Sequence, residues 1–222
     1  MGYLGSKAAS GAFQSVIASM PPHDVYIEAF LGSGVVMRNK PPASRSIGVD
    51  LNRAALDAFS APYPVELLEA DALSTIAGFD YAGSRVLIYA DPPYLHSTRT
   101  SRARYAYEMS ESDHVRLSEV LNSVSASVIL SGYPSPLYDE LFSGWRTCEF
   151  QVMTRGGPRT EKLWMNFEGG AFWSSFAGKN FTDRQRIKRK ADRWAANYRS
   201  LSSGERLAVL SSLLNVHGDD LP

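Results

Sequence analysis

Arg85-Val-Leu-Ile-Tyr-Ala-Asp-Pro-Pro-Tyr94 is the stretch on which the reading of this chain turns. A short apolar run ended by two prolines reads as a buried strand emptying into a rigid polar tip. The prolines fix φ and remove two backbone donors, so the tip presents carbonyl oxygens and the Asp91 carboxylate without competing N–H groups. Acceptors without donors suit an amine. The exocyclic amino group of a nucleobase offers two N–H donors, which Asp91 and the Pro92 carbonyl can accept while Tyr94 offers a face for stacking. Asp91, Pro92 and Tyr94 are therefore the candidate catalytic residues, in a pattern that fits methylation of an amino nitrogen. A proline-rich turn after a strand is the plain alternative, and the upstream residues decide between the two.

Upstream, an earlier strand runs into Glu28-Ala-Phe-Leu-Gly-Ser-Gly34. Two glycines two apart let backbone approach a ligand at the carboxyl end of a strand. The next strand ends in Asp50-Leu-Asn52, placing an acid where such folds hold ribose hydroxyls. A third ends near Asp71, an acceptor suited to an adenine amino group. Each acid could instead cap the following helix. Three strand-end acids followed by the Asp-Pro-Pro-Tyr tip after a fourth strand favour a ligand site.

The rest of the pattern alternates. Strands are expected at Val25–Glu28, Ser46–Val49, Val65–Leu68, Val86–Ala90, Ser127–Leu130, Thr147–Met153 and Lys162–Phe167. Helical patterns fall at about 7–19, 33–39, 53–59, 112–123 and 135–141. Strand–helix alternation predicts an α/β fold with a doubly wound, mostly parallel sheet. No helix separates the last two strands, and the turn-rich 154–160 between them predicts an antiparallel hairpin closing the sheet.

The chain has 222 residues, 44% of them hydrophobic, enough for one large α/β domain over about residues 1–170. Its one cysteine, Cys148, excludes an internal disulfide and a cysteine-based zinc site, and is expected to be a buried small hydrophobe. The four histidines show no metal-ligand spacing, and no metal is expected. Trp145, Trp164 and Trp173 are read as core or rim aromatics. No run approaches the ~20 apolar residues of a membrane span, so a soluble cytoplasmic protein is expected.

Net charge is zero, but residues 171–199 hold eight basic and two acidic residues. That excess suits a polyanion, most simply nucleic acid. Residues 171–222 read as a basic helical extension packed on the same domain. In it Ile187, Ala191, Trp194 and Tyr198 form one stripe at helical spacing. Arg186, Arg189, Lys190 and Arg193 project away from the stripe, either to DNA phosphates or as a solubilising face. A second candidate DNA-binding stretch, His96 to Tyr107, carries Arg99, Arg102 and Arg104 interleaved with two tyrosines directly after the catalytic tip.

These motifs resemble those of the Dam-like, D12 class of adenine-specific DNA methyltransferases, in a compact form. Tyr3-Leu-Gly-Ser-Lys7 looks like the family's amino-terminal Tyr/Trp-x-Gly-Gly-Lys motif, with Ser6 for the second glycine. Ile27 to Gly34 resembles its Glu-Pro-Phe-x-Gly-x-Gly loop, with Ala29 for the proline. Asp50-Leu-Asn52 and Asp91-Pro-Pro-Tyr94 match without departure, and weaker similarity covers Ser131-Gly-Tyr133 and Glu161-Lys-Leu-Trp164. The resemblance implies a Rossmann-like methyltransferase fold using S-adenosyl-L-methionine and acting on DNA. It implies that Tyr3 and Lys7 lie by the methionine end of the cofactor, with Glu28 near its amino group or sulfonium. Phe30, Gly32 and Gly34 would line it, Asp50 hold its ribose and Asp71 contact its adenine. Asp91 tilts the resemblance toward adenine over cytosine N4. An RNA or cytosine-N4 methyltransferase, a catalytically inactive DNA-binding protein of the same fold, and a dinucleotide oxidoreductase, for which the three-glycine fingerprint is lacking, are the other readings. Only nineteen residues separate Asp71 from Asp91, leaving no room there for the target-recognition insert of larger relatives.

Overall fold

The computed structural model describes residues 12–95, 98, 107–154, 157–169 and 181–214. In chain order the elements are α1 (Ala12–Ala18), β1 (Val25–Glu28), α2 (Val35–Asn39), β2 (Arg45–Asp50), α3 (Arg53–Ala58), β3 (Glu66–Glu69), α4 (Ala72–Ala77) and β4 (Val86–Ala90). There follow α5 (Glu111–Ser123), β5 (Ser127–Gly132), α6 (Pro136–Leu141), β6 (Arg146–Thr154), β7 (Gly157–Met165), α7 (Phe181–Ser200) and α8 (Ser203–Leu214). The seven strands form one sheet in the order β3-β2-β1-β4-β5-β7-β6. Strands β1 to β5 pair in parallel, and β7 enters antiparallel between β5 and β6. The expected doubly wound α/β sheet with a closing antiparallel hairpin is what forms.

Side-chain alternation along the central strands sorts the core into two layers. Val25, Ile27, Val86, Ile88, Val128 and Leu130 face α4, α5 and α6, meeting Leu73, Ile76, Leu117, Leu121 and Tyr138. Tyr26, Leu87, Tyr89 and Ile129 face the other way, against Val16, Ile17, Val36, Met37 and Leu56 of α1, α2 and α3. Both faces are therefore covered, and β1 and β4 are buried at every position. Continuous apolar strands of this kind follow from two-sided burial. Removing each such Val, Ile or Leu from water is worth about 1.5–3 kcal/mol.

Three expectations change. The hairpin is tighter than its sequence suggests: β7 starts at Gly157 and Thr154 pairs with Gly157, so most of the expected 154–160 loop is strand. Gly157 has φ 101°, a left-handed turn conformation that glycine adopts without Cβ strain. Cys148 is exposed, not buried, because β6 is the sheet's outermost strand. Where the sequence led us to expect a packed stripe on α7, the stripe is open. Trp194 is 61% exposed, and Leu207, Leu210 and Leu213 of α8 are exposed as well. Amphipathic periodicity gives a helix an apolar face but not something to cover it. Trp164 is fully buried and Trp145 partly so, as expected of core and rim aromatics, whereas Trp173 lies outside the described residues. No helix among the described residues is long and apolar enough to cross a membrane.

Candidate active site

The sheet reverses its winding between β1 and β4: the chain proceeds from β1 toward β2 and β3 on one side and from β4 toward β5 on the other. Connections diverge at such a point and leave a crevice at the carboxyl ends of the two strands. A cavity of about 280 Å³ opens there. Glu28 ends β1, Asp50 ends β2, Asp71 follows β3, and Asp91 follows β4; all four line it, with Phe30, Gly32, Gly34 and Pro92. The topology thus brings together eight of the nine expected cofactor and catalytic residues that the structure describes, Tyr94 being the ninth.

The glycine loop is held by the acid on the neighbouring strand. Asp50 Oδ2 accepts the Gly32 N–H at 2.7 Å, and Oδ1 accepts the Asn52 N–H at 2.7 Å. A carboxylate has about four lone-pair sites, so each oxygen retains capacity for a hydroxyl after these bonds. Gly32 and Gly34 have φ 50° and 60°, and a Cβ on Gly34 would run into the Phe59 ring. The two glycines are needed for the path of the loop itself. Asp71 caps α4, with Oδ1 accepting both the Ser74 N–H and hydroxyl at 2.8 Å. Its capping role and its place on the cavity wall coexist.

Glu28 is 3% exposed, and Oε2 accepts the Tyr26 hydroxyl at 2.9 Å. Burial lifts its pKa to about 8; the Tyr26 hydrogen bond opposes that rise and the Asp91 charge adds to it. Lys40, also buried, stacks its ammonium 4.5 Å from the Tyr26 ring centroid and falls to about 8 through desolvation, with Glu28 pulling upward. Asp91 Oδ1 accepts the Ser131 hydroxyl at 2.7 Å, and Ser131 Oγ lies 3.1 Å from Tyr89 Oη. Tyr89 and Ser131 are buried.

Tyr94 does not line the cavity. It is 6% exposed and packs edge-on against Tyr133, with centroids 4.6 Å apart, while the Arg159 guanidinium lies 5.9 Å from the Tyr133 ring. The tips of β4 and β5 and the β6–β7 hairpin therefore meet in an aromatic pair with a cation beside it. Arg186, Arg189, Lys190 and Arg193 are exposed on α7; Arg186 pairs with Asp183 at 2.7 Å. Tyr3, Lys7, Arg99, Arg102 and Arg104 lie outside the described residues.

Sequence reasoning missed part of the wall. Glu108, Met109, Asp113 and Arg116, at the start of α5 and just before it, line the cavity without forming a motif, and Tyr107, read from sequence as the end of the arginine–tyrosine stretch, lines it as well. Tyr89 was legible only as an apolar strand position, and its i, i+2 relation to Asp91 was the available clue. His114 is buried with Nδ1 2.8 Å from the Tyr138 hydroxyl, behind the wall and not on it.

No curated protein matches the chain. In three dimensions an rRNA methylase from Streptococcus thermophilus aligns over 69% of this chain and 93% of its own, at 12% identity and a TM-score of 0.44. A SAM dependent methyltransferase from Agrobacterium tumefaciens aligns over 69% and 58%, at 14% identity and a TM-score of 0.43. At such distances the names of those proteins say nothing of what this chain modifies. The glycine loop and Asp50 precede the stretch that matches a family in sequence. That stretch, residues 77–158, contains Asp91 to Tyr94 and matches the family model described as D12 class N6 adenine-specific DNA methyltransferase, and on this match the chain is a methyltransferase using S-adenosylmethionine.

Proposed function

We propose that this methyltransferase acts on DNA, placing the methyl group on the N6 amine of an adenine turned out of the duplex. The observation that carries the reading is the convergence of Glu28 and Asp91 at the carboxyl ends of β1 and β4, in a cavity lined by six acidic residues and one arginine. With Glu28 holding its proton up to about pH 8, the five other acids against one arginine still leave the wall negative, which favours a cationic ligand with N–H donors and disfavours the pyrophosphate of a dinucleotide. The sulfonium and ammonium of S-adenosylmethionine fit it, as does an amine acceptor that turns positive during reaction. The description of the matched family supports adenine N6 as the acceptor and DNA as the polymer.

In this reading the Gly32–Gly34 loop and Phe30 hold the cofactor, Asp50 takes its ribose, Asp71 its adenine, and Glu28 its charged end, with Tyr3 and Lys7 beside the methionine carboxylate. When bound, S-adenosylmethionine supplies a methyl group whose bond to sulfur breaks with the electron pair left on sulfur. Asp91 and the Pro92 carbonyl accept the two N6 hydrogens, which turns the nitrogen lone pair toward the methyl carbon. The lone pair forms the new C–N bond, the carboxylate stabilises the charge developing on nitrogen, and one N6 proton then leaves to water. Tyr94 supplies the stacking face, so a base entering the site displaces or shares the Tyr94–Tyr133 contact. Arg99, Arg102, Arg104, Arg186, Arg189, Lys190 and Arg193 contact phosphates.

The test is transfer of labelled methyl to duplex DNA followed by nucleoside analysis. The expected product is N6-methyladenine. Asp91→Ala is expected to lower transfer by roughly 100-fold or more, in the range seen when a transition-state hydrogen-bonding group is removed. Product at cytosine N4, or RNA methylated in preference to DNA, overturns the substrate assignment. Undiminished transfer by Asp91→Ala overturns the site.

A further inference from the structure

We propose that Ser131 and Tyr89 form a two-hydroxyl relay that positions the Asp91 carboxylate for the acceptor amine. The proposal rests on the reading of Asp91 given above and names further residues of the same site.

The direction of the relay follows from proton count. Ser131 has one hydroxyl proton, and it is donated to Asp91 Oδ1 at 2.7 Å. Ser131 Oγ can then take part in the 3.1 Å contact with Tyr89 only as acceptor, so the Tyr89 hydroxyl is the donor there. The order is Tyr89 to Ser131 to Asp91. Each link is placed by regular structure: Tyr89 lies on β4, Ser131 on β5, and these strands pair in parallel with Tyr89 opposite Ile129. Ser131 is two residues beyond Ile129 and so shares its face. Ser131 is 0% and Tyr89 1% exposed, and burial of this degree makes each bond costly to lose.

The tip needs such a device. The prolines fix the backbone of 92 and 93, but nothing in that backbone sets the χ angles of Asp91. A hydrogen bond to one carboxylate oxygen from a rigid strand fixes the plane of the group. Next to Ser131, Gly132 at the carboxyl end of β5 leaves room for the Tyr138 ring, from which a Cβ there would stand 3.1 Å. Ser131 and Tyr89 are positioning residues: they act through Asp91 and do not themselves touch the acceptor.

The experiment compares Ser131→Ala, Ser131→Thr, Tyr89→Phe and the Tyr89→Phe/Ser131→Ala double variant with wild type and Asp91→Ala. The readouts are methyl transfer to plasmid DNA, affinity for S-adenosylmethionine by calorimetry, and crystal structures. Loss of a hydrogen bond to a charged group predicts that Ser131→Ala lowers kcat roughly 10- to 100-fold, with KM for DNA and cofactor affinity little changed. Ser131→Thr, which keeps the hydroxyl, is expected to restore most of kcat. Tyr89→Phe is expected to lose roughly 2- to 10-fold. Because Tyr89 acts through Ser131, the double variant should lose no more than Ser131→Ala alone. Losses that multiply, a Thr variant as poor as the Ala variant, or an Asp91 side chain that keeps its orientation in the Ser131→Ala crystal each overturn the relay. A wild type that methylates no DNA overturns the functional reading instead, and the Asp91 orientation still decides the relay. Inert Asp91→Ala beside a fully active Ser131→Ala retains the reading and overturns the relay.

Discussion

Gly34 shows at a single residue how fold and site constrain the same atom. Its φ of 60° lies where an L side chain is strained, and its missing Cβ leaves room for Phe59. Gly34→Ala is expected to cost about 1–3 kcal/mol in denaturant unfolding and to weaken cofactor binding in calorimetry. Glu28 is the residue whose ionisation the fold alters most visibly in the cavity. Its folded pKa, raised to about 8 from 4.5, means the folded state holds a proton that the unfolded state has released. The stability this gives is full below about pH 4.5 and is lost as pH rises toward 8. Glu28→Gln, which stays neutral, is therefore expected to gain stability relative to wild type between pH 5 and pH 8. Equal differences at the two pH values, measured by urea midpoints, would show Glu28 to be ionised throughout. The residues named by motif were legible because their chemistry is local: a proline pair or a glycine pair announces itself. Tyr26 and Lys40 were not, and Ser131 only through a weak similarity, since their importance comes from side-chain partners that the fold brings to them.

At the scale of elements, the two-sided central strands were the most legible part of the sequence, short as they are. Val25–Glu28 and Val86–Ala90 form as expected because both faces are buried and the apolar run is unbroken. α4 went unread: Ala72–Ala77 is too short to establish a helical period, and its start is fixed by Asp71, whose acid drew attention for a different reason. The helix at 112–123 was legible at both ends, and the structure adds how it begins. The Ser110 side chain meets the Asp113 N–H while Asp113 reaches back to the Ser110 N–H, a capping box at the cavity rim. Ser110→Ala is expected to cost about 1 kcal/mol in chemical denaturation. Because Tyr107 to Met109 enter the helix through this cap, faster amide exchange there than in wild type is the accompanying expectation.

For the whole molecule, the sheet and the helical extension differ in how they are held. The sheet has two covered faces, whereas α7 and α8 show exposed Trp194, Leu207, Leu210 and Leu213. Deleting residues 181–222 is therefore expected to leave the thermal midpoint of the sheet domain within about 2–4 °C, the change produced by roughly 1 kcal/mol in a domain of this size. If Arg186, Arg189, Lys190 and Arg193 bind phosphates, the same deletion lowers affinity for plasmid DNA and flattens its dependence on salt by close to one charge per lost contact. Unchanged DNA affinity and salt slope in a filter-binding titration would assign the basic face to solubility. The sequence showed that this helix exists and which way its charges point, but its surroundings depend on where the chain goes after residue 169, which periodicity does not encode.

The position of β7 between β5 and β6 has a consequence for how the molecule comes into being on the ribosome. Every residue of the Asp-Pro-Pro-Tyr tip and of its hydroxyl relay has been synthesised by Ser131, yet the outer edge of β5 stays bare until Met165 emerges, because β6 is made first and pairs only with β7. A nascent chain that already carries its chemistry is thus still an unfinished sheet for another thirty-odd residues. During that interval the unpaired backbone of β5 is open to any passing strand.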